Sequence, residues 1–403
     1  MSVRRSFTLL TTIALMLFQR PALQTSIVQR RERLALSAWL GSREEAIRAV
    51  IQDRYAEYGL SSLKSFRAEV IVSKPARLQH RSALFEYAVS TPNPRSSVGL
   101  IAKIHRHARV SDDPNLCVTA AIEDGRAEWR QLSNAYPYFA AQANGLGMVR
   151  PIAYIEPYYA LLVQKASGRE LAKIIAGGGP DVRPAIERAG RWLSRFHGGL
   201  HAVSNREWTP EWYGRCLDER RSRFLAVQAS RGLWEPLLDR VAAHAQSLPP
   251  RSVPRSALHG DFRLRHIWAS AEGIEVLDFG NVHEGDCYAD VASLLVELMM
   301  VRLGRPFVSR RLVDGYIETF VEAYFQGSPP PILQYYVIDR LFKKWGRWLA
   351  RWNDPAKEAW WAAMLQRSLQ FAHATGVTNY MYVSRWFTAR IREALEHADK
   401  VRR

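Results

Sequence analysis

Leu258 to Leu295 reads LHGDFRLRHIWASAEGIEVLDFGNVHEGDCYADVASLL, and the fold turns on how this stretch is read. It opens on His259-Gly260-Asp261, reaches a second carboxylate at Asp278, and closes on Asp286 and Asp290. Apolar residues precede both key aspartates: Ala257 and Leu258 before the first, Ile274, Val276 and Leu277 before the second. Short apolar runs predict strands, and carboxylates held at strand ends suit a metal-assisted site.

Outward from this stretch, the chain divides. Its 403 residues exceed one ordinary core and predict two domains. A hydrophobic share of 47% is that of a globular protein. The net charge of +17 is mostly arginine, scattered without a run of five or six, so we expect no nucleic-acid partner; the basic balance suits a cleft for a polyanion such as a nucleotide. Cys117, Cys216 and Cys287 are far apart and odd in number, with no zinc spacing, which fits thiols in a reducing compartment.

Upstream, Arg67–Ser73, Ser82–Ser90 and Val98–His105 read as strands, with a turn at Thr91–Ser97. Met148–Ile155 and Tyr159–Val163 complete five strands, and Glu123–Asn144 is a helix that Pro137 kinks or splits. Lys103 sits in the apolar middle of the third strand, either as an edge-strand lysine or as a phosphate-binding one. Glu128 lies near the apolar side of the helix, where a carboxylate needs a partner; Lys103 is the natural one. Gln164-Lys165-Ala166-Ser167-Gly168 breaks the strand pattern and marks a hinge. Before the strands, residues 31–58 read as helical, with an N-cap at Ser42 ahead of Glu44 and Glu45. After the hinge the chain is mostly helical: 170–175, 182–197, 211–231 and 234–247, then, past the short strands of the opening stretch, 290–302, 309–325, 331–352, 356–376 and 380 onward. Trp345, Trp348, Trp352, Trp360 and Trp361 read as core.

Arg4 and Arg5 precede an apolar run from Phe7 to Phe18, too short to span a membrane. Residues 1–30 read first as an N-terminal extension or misplaced start, then as a membrane-surface anchor through residues 1–20, last as an export signal.

The spacing His259-Gly260-Asp261, Asp278-Phe279-Gly280, Gly285-Asp286 and Asp290-Val291-Ala292 resembles the aminoglycoside phosphotransferase family, the small-molecule branch of the protein-kinase-like fold. The resemblance covers about residues 67–375 and is strongest over 258–295. It implies an α+β, bilobal protein-kinase-like fold: a nucleotide-binding lobe with a leading helix over 31–165, five-stranded with one helix, and a larger, mainly helical lobe over 166–403. It further implies a cytoplasmic kinase that uses ATP and Mg²⁺ to phosphorylate a hydroxyl of a small molecule such as a sugar, amino alcohol or aminoglycoside-like compound.

The resemblance assigns roles. Asp261 takes or orients the hydroxyl proton; Asp278 binds Mg²⁺; Lys103 holds the α/β-phosphates and pairs with Glu128; Gln164, Lys165 and Ala166 offer backbone groups to the adenine. Arg263 is either a γ-phosphate contact or a surface arginine. Asp290 reads as structural; Asp286 as structural or facing substrate. Three departures stand out. His266 replaces the family's metal-binding Asn, either as an altered second ligand or as a packing residue, and imidazole is a softer donor than Mg²⁺ prefers. Gly280 and Asn281 stand where acids are common. Gln79-His80-Arg81-Ser82-Ala83 replaces a glycine-rich loop, leaving the backbone and Ser82 to cap phosphates. These departures keep two alternatives open: a catalytically impaired relative that binds nucleotide or a protein partner, and a kinase of a lipid-linked or protein substrate at the inner membrane.

Overall fold

The computed structural model describes residues 22–58, 69–78, 82–90, 97–105, 122–141, 144–200, 203–226, 231–304, 308–352 and 379–402. Residues 1–20, Gln79–Arg81, most of the turn at 91–97, Cys117, the helix expected over 356–376, and Trp360 and Trp361 lie outside them. The architecture is α+β and clusters into two compact units. One comprises the described residues up to Arg130 together with Arg150–Lys165; the other comprises Gln131–Val149 and the described residues from Ala166 onward.

The first unit is an antiparallel sheet with strand order β1-β2-β3-β6-β5, from β1 (Glu69–Leu78), β2 (Ser82–Ser90), β3 (Val98–His105), β5 (Pro151–Ile155) and β6 (Ala160–Gln164). Period-2 alternation builds it. Ala83, Phe85, Tyr87 and Val89 of β2 and Leu100, Ala102 and Ile104 of β3 point into one apolar core, joined by Ile47 and Ile51 of helix α1 (Ala22–Arg54). The in-between residues therefore share the opposite face. The register pairs Ser82 with His105 and Leu84 with Lys103, which puts Ser82, Glu86, Lys103 and His105 on that face. The edge strand β1 is tied to α1, where the Val70 N–H donates to Gln52 Oε1 at 2.9 Å. Helix α2 (Ile122–Ala140) follows β3.

The second unit holds two small sheets and a set of helices. β4 (Leu146–Met148) runs parallel to β11 (Ile274–Val276), which pairs through β10 (Ile267–Ala269) to β7 (Arg169–Glu170). β9 (Arg251–Leu258) lies between β8 (Ser204–Trp208) and β12 (His283–Asp286). The helices are α3 (Leu171–Gly177), α4 (Val182–Gly199), α5 (Pro210–Leu225), α6 (Arg231–Gln246), α7 (Tyr288–Gly304), α8 (Arg310–Phe325), α9 (Leu333–Trp352) and α10 (Asn379–Arg402). At the centre of this unit is Trp192 of α4, fully buried. It stacks on Phe139, Phe196 and Phe262 at centroid distances of 4.9, 5.1 and 5.6 Å and meets Phe279 edge-on. Phe262 and Phe279 are the residues next to Asp261 and Asp278, so the aromatic core grips both carboxylate-bearing segments from beneath. Trp345 is likewise core, stacked on Phe387 of α10.

Several expectations are corrected. α1 runs unbroken through Gly41 and Ser42, so Ser42 is not an N-cap; the acids after it act on the helix surface, with Glu45 paired to Arg48 one turn on. Pro137 does not split α2, which runs on to Ala140 even though the proline leaves the carbonyl one turn upstream without its usual N–H donor. The strand expected over 148–155 is two: β4 joins β11, and β5 joins β6. β8 carries Asn205, Arg206 and Glu207 and shows no apolar alternation that would have exposed it. Cys287 is buried and Cys216 half-buried, and burial pushes their thiols up to about 12 and about 11, consistent with inert core residues.

Trp192→Ala should lower stability by about 3–5 kcal/mol, read as the urea midpoint by circular dichroism. Leu312→Ala, at a 41% exposed position, should stay within about 0.5 kcal/mol of the parent.

Candidate active site

The loop after β9 is shaped by a buried carboxylate. Asp290, in the first turn of α7, accepts the His259 N–H at 2.6 Å and the Gly260 N–H at 3.1 Å. His197 of α4 approaches its Oδ2 at 3.4 Å, and the other ring nitrogen of His197 meets the Tyr324 hydroxyl at 2.8 Å. Burial alone would raise the Asp290 pKa; the hydrogen bond and charge of His197 and the His259 N–H outweigh it and hold the carboxyl below its usual value. The loop can turn this sharply because Gly260 has φ +73°, with its α-carbon against the Asn281 carbonyl. His259, fully buried, donates from Nε2 to the Leu277 carbonyl at 2.9 Å. That bond ties the first aspartate's segment to the second's.

Asp261, His266 and Asp278 converge. One potential ligand atom from each lies within 4.8 Å of the others. His266 Nε2 is 3.4 Å from Asp278 Oδ2, and its Nδ1 is 3.6 Å from Asp261 Oδ2. The imidazole sits in the 3₁₀ turn Leu264–His266. Its Nδ1–H donates to the Asp261 carbonyl at 2.9 Å, while Arg265 donates to Nε2 at 2.8 Å. This pattern defines a neutral ring with its lone pair on Nε2. Burial lowers its pKa, against the pull of Asp278. Asp278 adopts φ +68°, a left-handed conformation that aspartate tolerates better than most residues and that marks a constrained position. Its side chain is 30% exposed, whereas that of Asp261 is 11% exposed and ion-paired with Arg263. Two hard carboxylates and one neutral imidazole fit a divalent cation, and the imidazole widens the choice beyond Mg²⁺ toward softer ions.

In the first unit, Lys103 Nζ donates to Glu128 Oε2 at 2.8 Å. Both are largely buried, Glu128 more so. His105 meets the same oxygen at 2.6 Å. His105 escaped the sequence reading, although it is two residues from Lys103 on one strand and must share its face. Glu86 also went unread. It is buried on β2 and accepts from Lys165 at 2.6 Å and Arg77 at 3.2 Å, with Lys74 at 3.4 Å. Burial raises its pKa and the Lys165 ammonium more than reverses this. Ser82 starts β2, buried.

At Gln164–Ala166, the Gln164 N–H donates to the Arg150 carbonyl and the Lys165 N–H to the Gly99 carbonyl, each at 2.9 Å. Ala166 is buried and opens the second unit. Asp286 is bound by Arg206, by the Tyr336 hydroxyl at 2.7 Å and by Arg255 at 3.8 Å, so its carboxylate is committed to packing.

A profile described as the phosphotransferase enzyme family matches residues 119–331. Similar solved structures include a thermostable mutant of an aminoglycoside phosphotransferase, 12% identical, covering 84% of this chain and 98% of that one at a TM-score of 0.46. A choline/ethanolamine kinase family protein from Mesorhizobium loti is 14% identical, with coverage of 82% and 93% and a TM-score of 0.44. A macrolide 2′-phosphotransferase from Brachybacterium faecium is 14% identical, with coverage of 83% and 97% and a TM-score of 0.42. No curated protein sequence matches the chain.

Gly260→Ala should destabilise by more than about 2 kcal/mol, because the new Cβ would stand 2.3 Å from the Asn281 carbonyl oxygen. Gly214→Ala, in open space on α5, should be stabilising by about 0.5–1 kcal/mol. Thermal unfolding of both variants checks the pair.

Proposed function

The chain belongs to the phosphotransferase enzyme family, and on that premise we propose that it transfers the γ-phosphoryl group of ATP to a hydroxyl of a small molecule, using a divalent cation such as Mg²⁺. The observation that carries this reading is the convergence of Asp261, His266 and Asp278 within 4.8 Å. Phosphoryl transfer asks for positioning and charge neutralisation more than for covalent chemistry, and this triangle supplies both.

Asp261 is the base: its carboxylate receives or orients the proton of the acceptor hydroxyl. Arg263, ion-paired to it, fixes the direction of that carboxylate rather than meeting phosphate itself. Asp278 and His266 would hold the cation, which when bound neutralises phosphate charge. Lys103, aimed by Glu128, binds phosphate oxygens in the first unit. Ser82 and the backbone at Gln164, Lys165 and Ala166 that is left over from the N–H bonds to Arg150 and Gly99 would offer further nucleotide contacts. A cytoplasmic setting follows from the use of ATP. No helix among the described residues is long and apolar enough to cross a membrane.

A second reading is favoured by one contact. Arg265 donates to the His266 nitrogen that a metal would need. A chain in which that bond persists binds nucleotide without turning it over.

ADP release from ATP, measured over a panel of sugars, amino alcohols and aminoglycosides, separates the two. We expect turnover with at least one class, reduced at least about 1,000-fold in Asp261→Ala with its circular dichroism unchanged. Turnover that survives Asp261→Ala overturns the assignment of the base. Nucleotide binding with no turnover, gained only in His266→Asn, selects the second reading.

A further inference from the structure

Glu86 of β2 is buried in the first unit, like Glu128, and three cations converge on it. It accepts from Lys165 Nζ at 2.6 Å and from Arg77 Nη2 at 3.2 Å, and Lys74 Nζ stands 3.4 Å away. Lys74 and Arg77 are exposed, whereas the acid beneath them is covered. An exposed ion pair holds its partners loosely. A carboxylate fixed inside the sheet face aims its cations from below and leaves their outer sides to a ligand.

The backbone shows that Arg77 is turned onto this face. Successive strand residues point to opposite faces, so Lys74 and Arg77, three positions apart, would diverge in a regular strand. The pairing of β1 with β2 shifts register between them, with Pro75 in the interval, and both then reach Glu86. Irregularities of this kind re-aim a side chain, and an edge strand such as β1 tolerates a proline there. Beyond the shift Arg77 pairs with Leu84, whose partner on the other side is Lys103. Arg77 and Lys103 therefore lie in one row across the sheet, one strand to either side of Leu84, with backbones about 10 Å apart. Lys165 reaches Glu86 from the far side by crossing β3 at Gly99, where an added Cβ would stand 3.1 Å from its stem. The face thus presents two cations steered by buried acids, Lys103 by Glu128 and Arg77 by Glu86.

We propose that Arg77, steered by Glu86, is a second phosphate-binding cation for the nucleotide, set across Leu84 from Lys103, and that it supplies from a side chain the donors that a glycine-rich loop supplies from its backbone. This rests on the phosphotransferase reading above and deepens it. A guanidinium carries five N–H donors in a planar fork that matches a phosphate. Glu86 engages Nη2 and sets the plane of the fork, so Glu86 is a positioning residue and Arg77 the one that meets the ligand.

Calorimetric titration of the full chain with ADP and with adenosine, in EDTA, tests this with the cation centre taken out of the comparison. Arg77→Met should weaken ADP binding at least fivefold and leave adenosine within twofold of the parent. Glu86→Gln separates steering from bulk charge. Removing an acid beside three cations would strengthen ADP binding through the field alone, whereas loss of steering weakens it, here at least threefold, with adenosine again within twofold. Unchanged ADP affinity in Arg77→Met, or adenosine lost in step with ADP, overturns the inference. So does unchanged or tighter ADP binding in a folded Glu86→Gln. Should Glu86→Gln fail to fold by circular dichroism, the exposed Arg77→Met variant decides alone. An anionic acceptor would suit the same fork, so glucose 6-phosphate is titrated alongside: a loss confined to it in Arg77→Met assigns the cation to the acceptor and also overturns the inference. Failure of the phosphotransferase reading looks different, because the parent chain then binds neither ADP nor adenosine, even with Mg²⁺ restored.

Discussion

The carboxylate of Asp290, buried at the start of α7, accepts the backbone N–H groups of His259 and Gly260 and faces His197. Hydrogen bonds to a charged acceptor are worth about 1.5–3 kcal/mol each, and removing a buried charged partner costs about 3–5 kcal/mol. The left-handed turn at Gly260, the position of Asp261 and the His259 bond to the Leu277 carbonyl all sit on this anchor. Asp290 is structural in this sense: it acts on the chemistry by fixing where other side chains point.

Above the anchor the site groups differ in how far they are covered. Asp261 is occupied by Arg263, and His266 by the Asp261 carbonyl and Arg265. Asp278 has the most exposed side chain of the three, and it holds a backbone conformation that most side chains avoid. Beneath them, the Trp192 stack leaves little room for either carboxylate segment to slide. The first unit repeats the theme. A buried Glu128 serves Lys103 and His105, and a buried Glu86 gathers Lys165, Lys74 and Arg77.

The limits of β2 and β3 were legible from their apolar, β-rich runs, and Glu128 on the apolar side of α2 called for a cation that Lys103 supplies. Strand parity would have found His105, had the strand been read by face rather than by its apolar centre. The family resemblance rested on the spacing of Asp261, Asp278 and Asp290, which survives in three dimensions because one anchor and one aromatic core hold all three. Other features were hidden for physical reasons. β8 is polar and is a strand because β9 pairs with it. Ser42 looks like a cap, yet tertiary packing of Ile47 and Ile51 carries the helix through it. Asp286 gave no sign in sequence of Arg206 and Tyr336, which arrive from distant segments.

If Asp261, His266 and Asp278 form the proposed cation-assisted phosphotransfer centre, a divalent ion and the nucleotide bind together. The most direct measurement is calorimetric titration of ADP with and without Mg²⁺ or Mn²⁺, in the parent chain and in Asp278→Asn. A divalent ion should tighten ADP binding at least tenfold in the parent and change it less than twofold in Asp278→Asn. Equal gains in both proteins, or nucleotide affinity indifferent to the ion in the parent, would contradict such a centre.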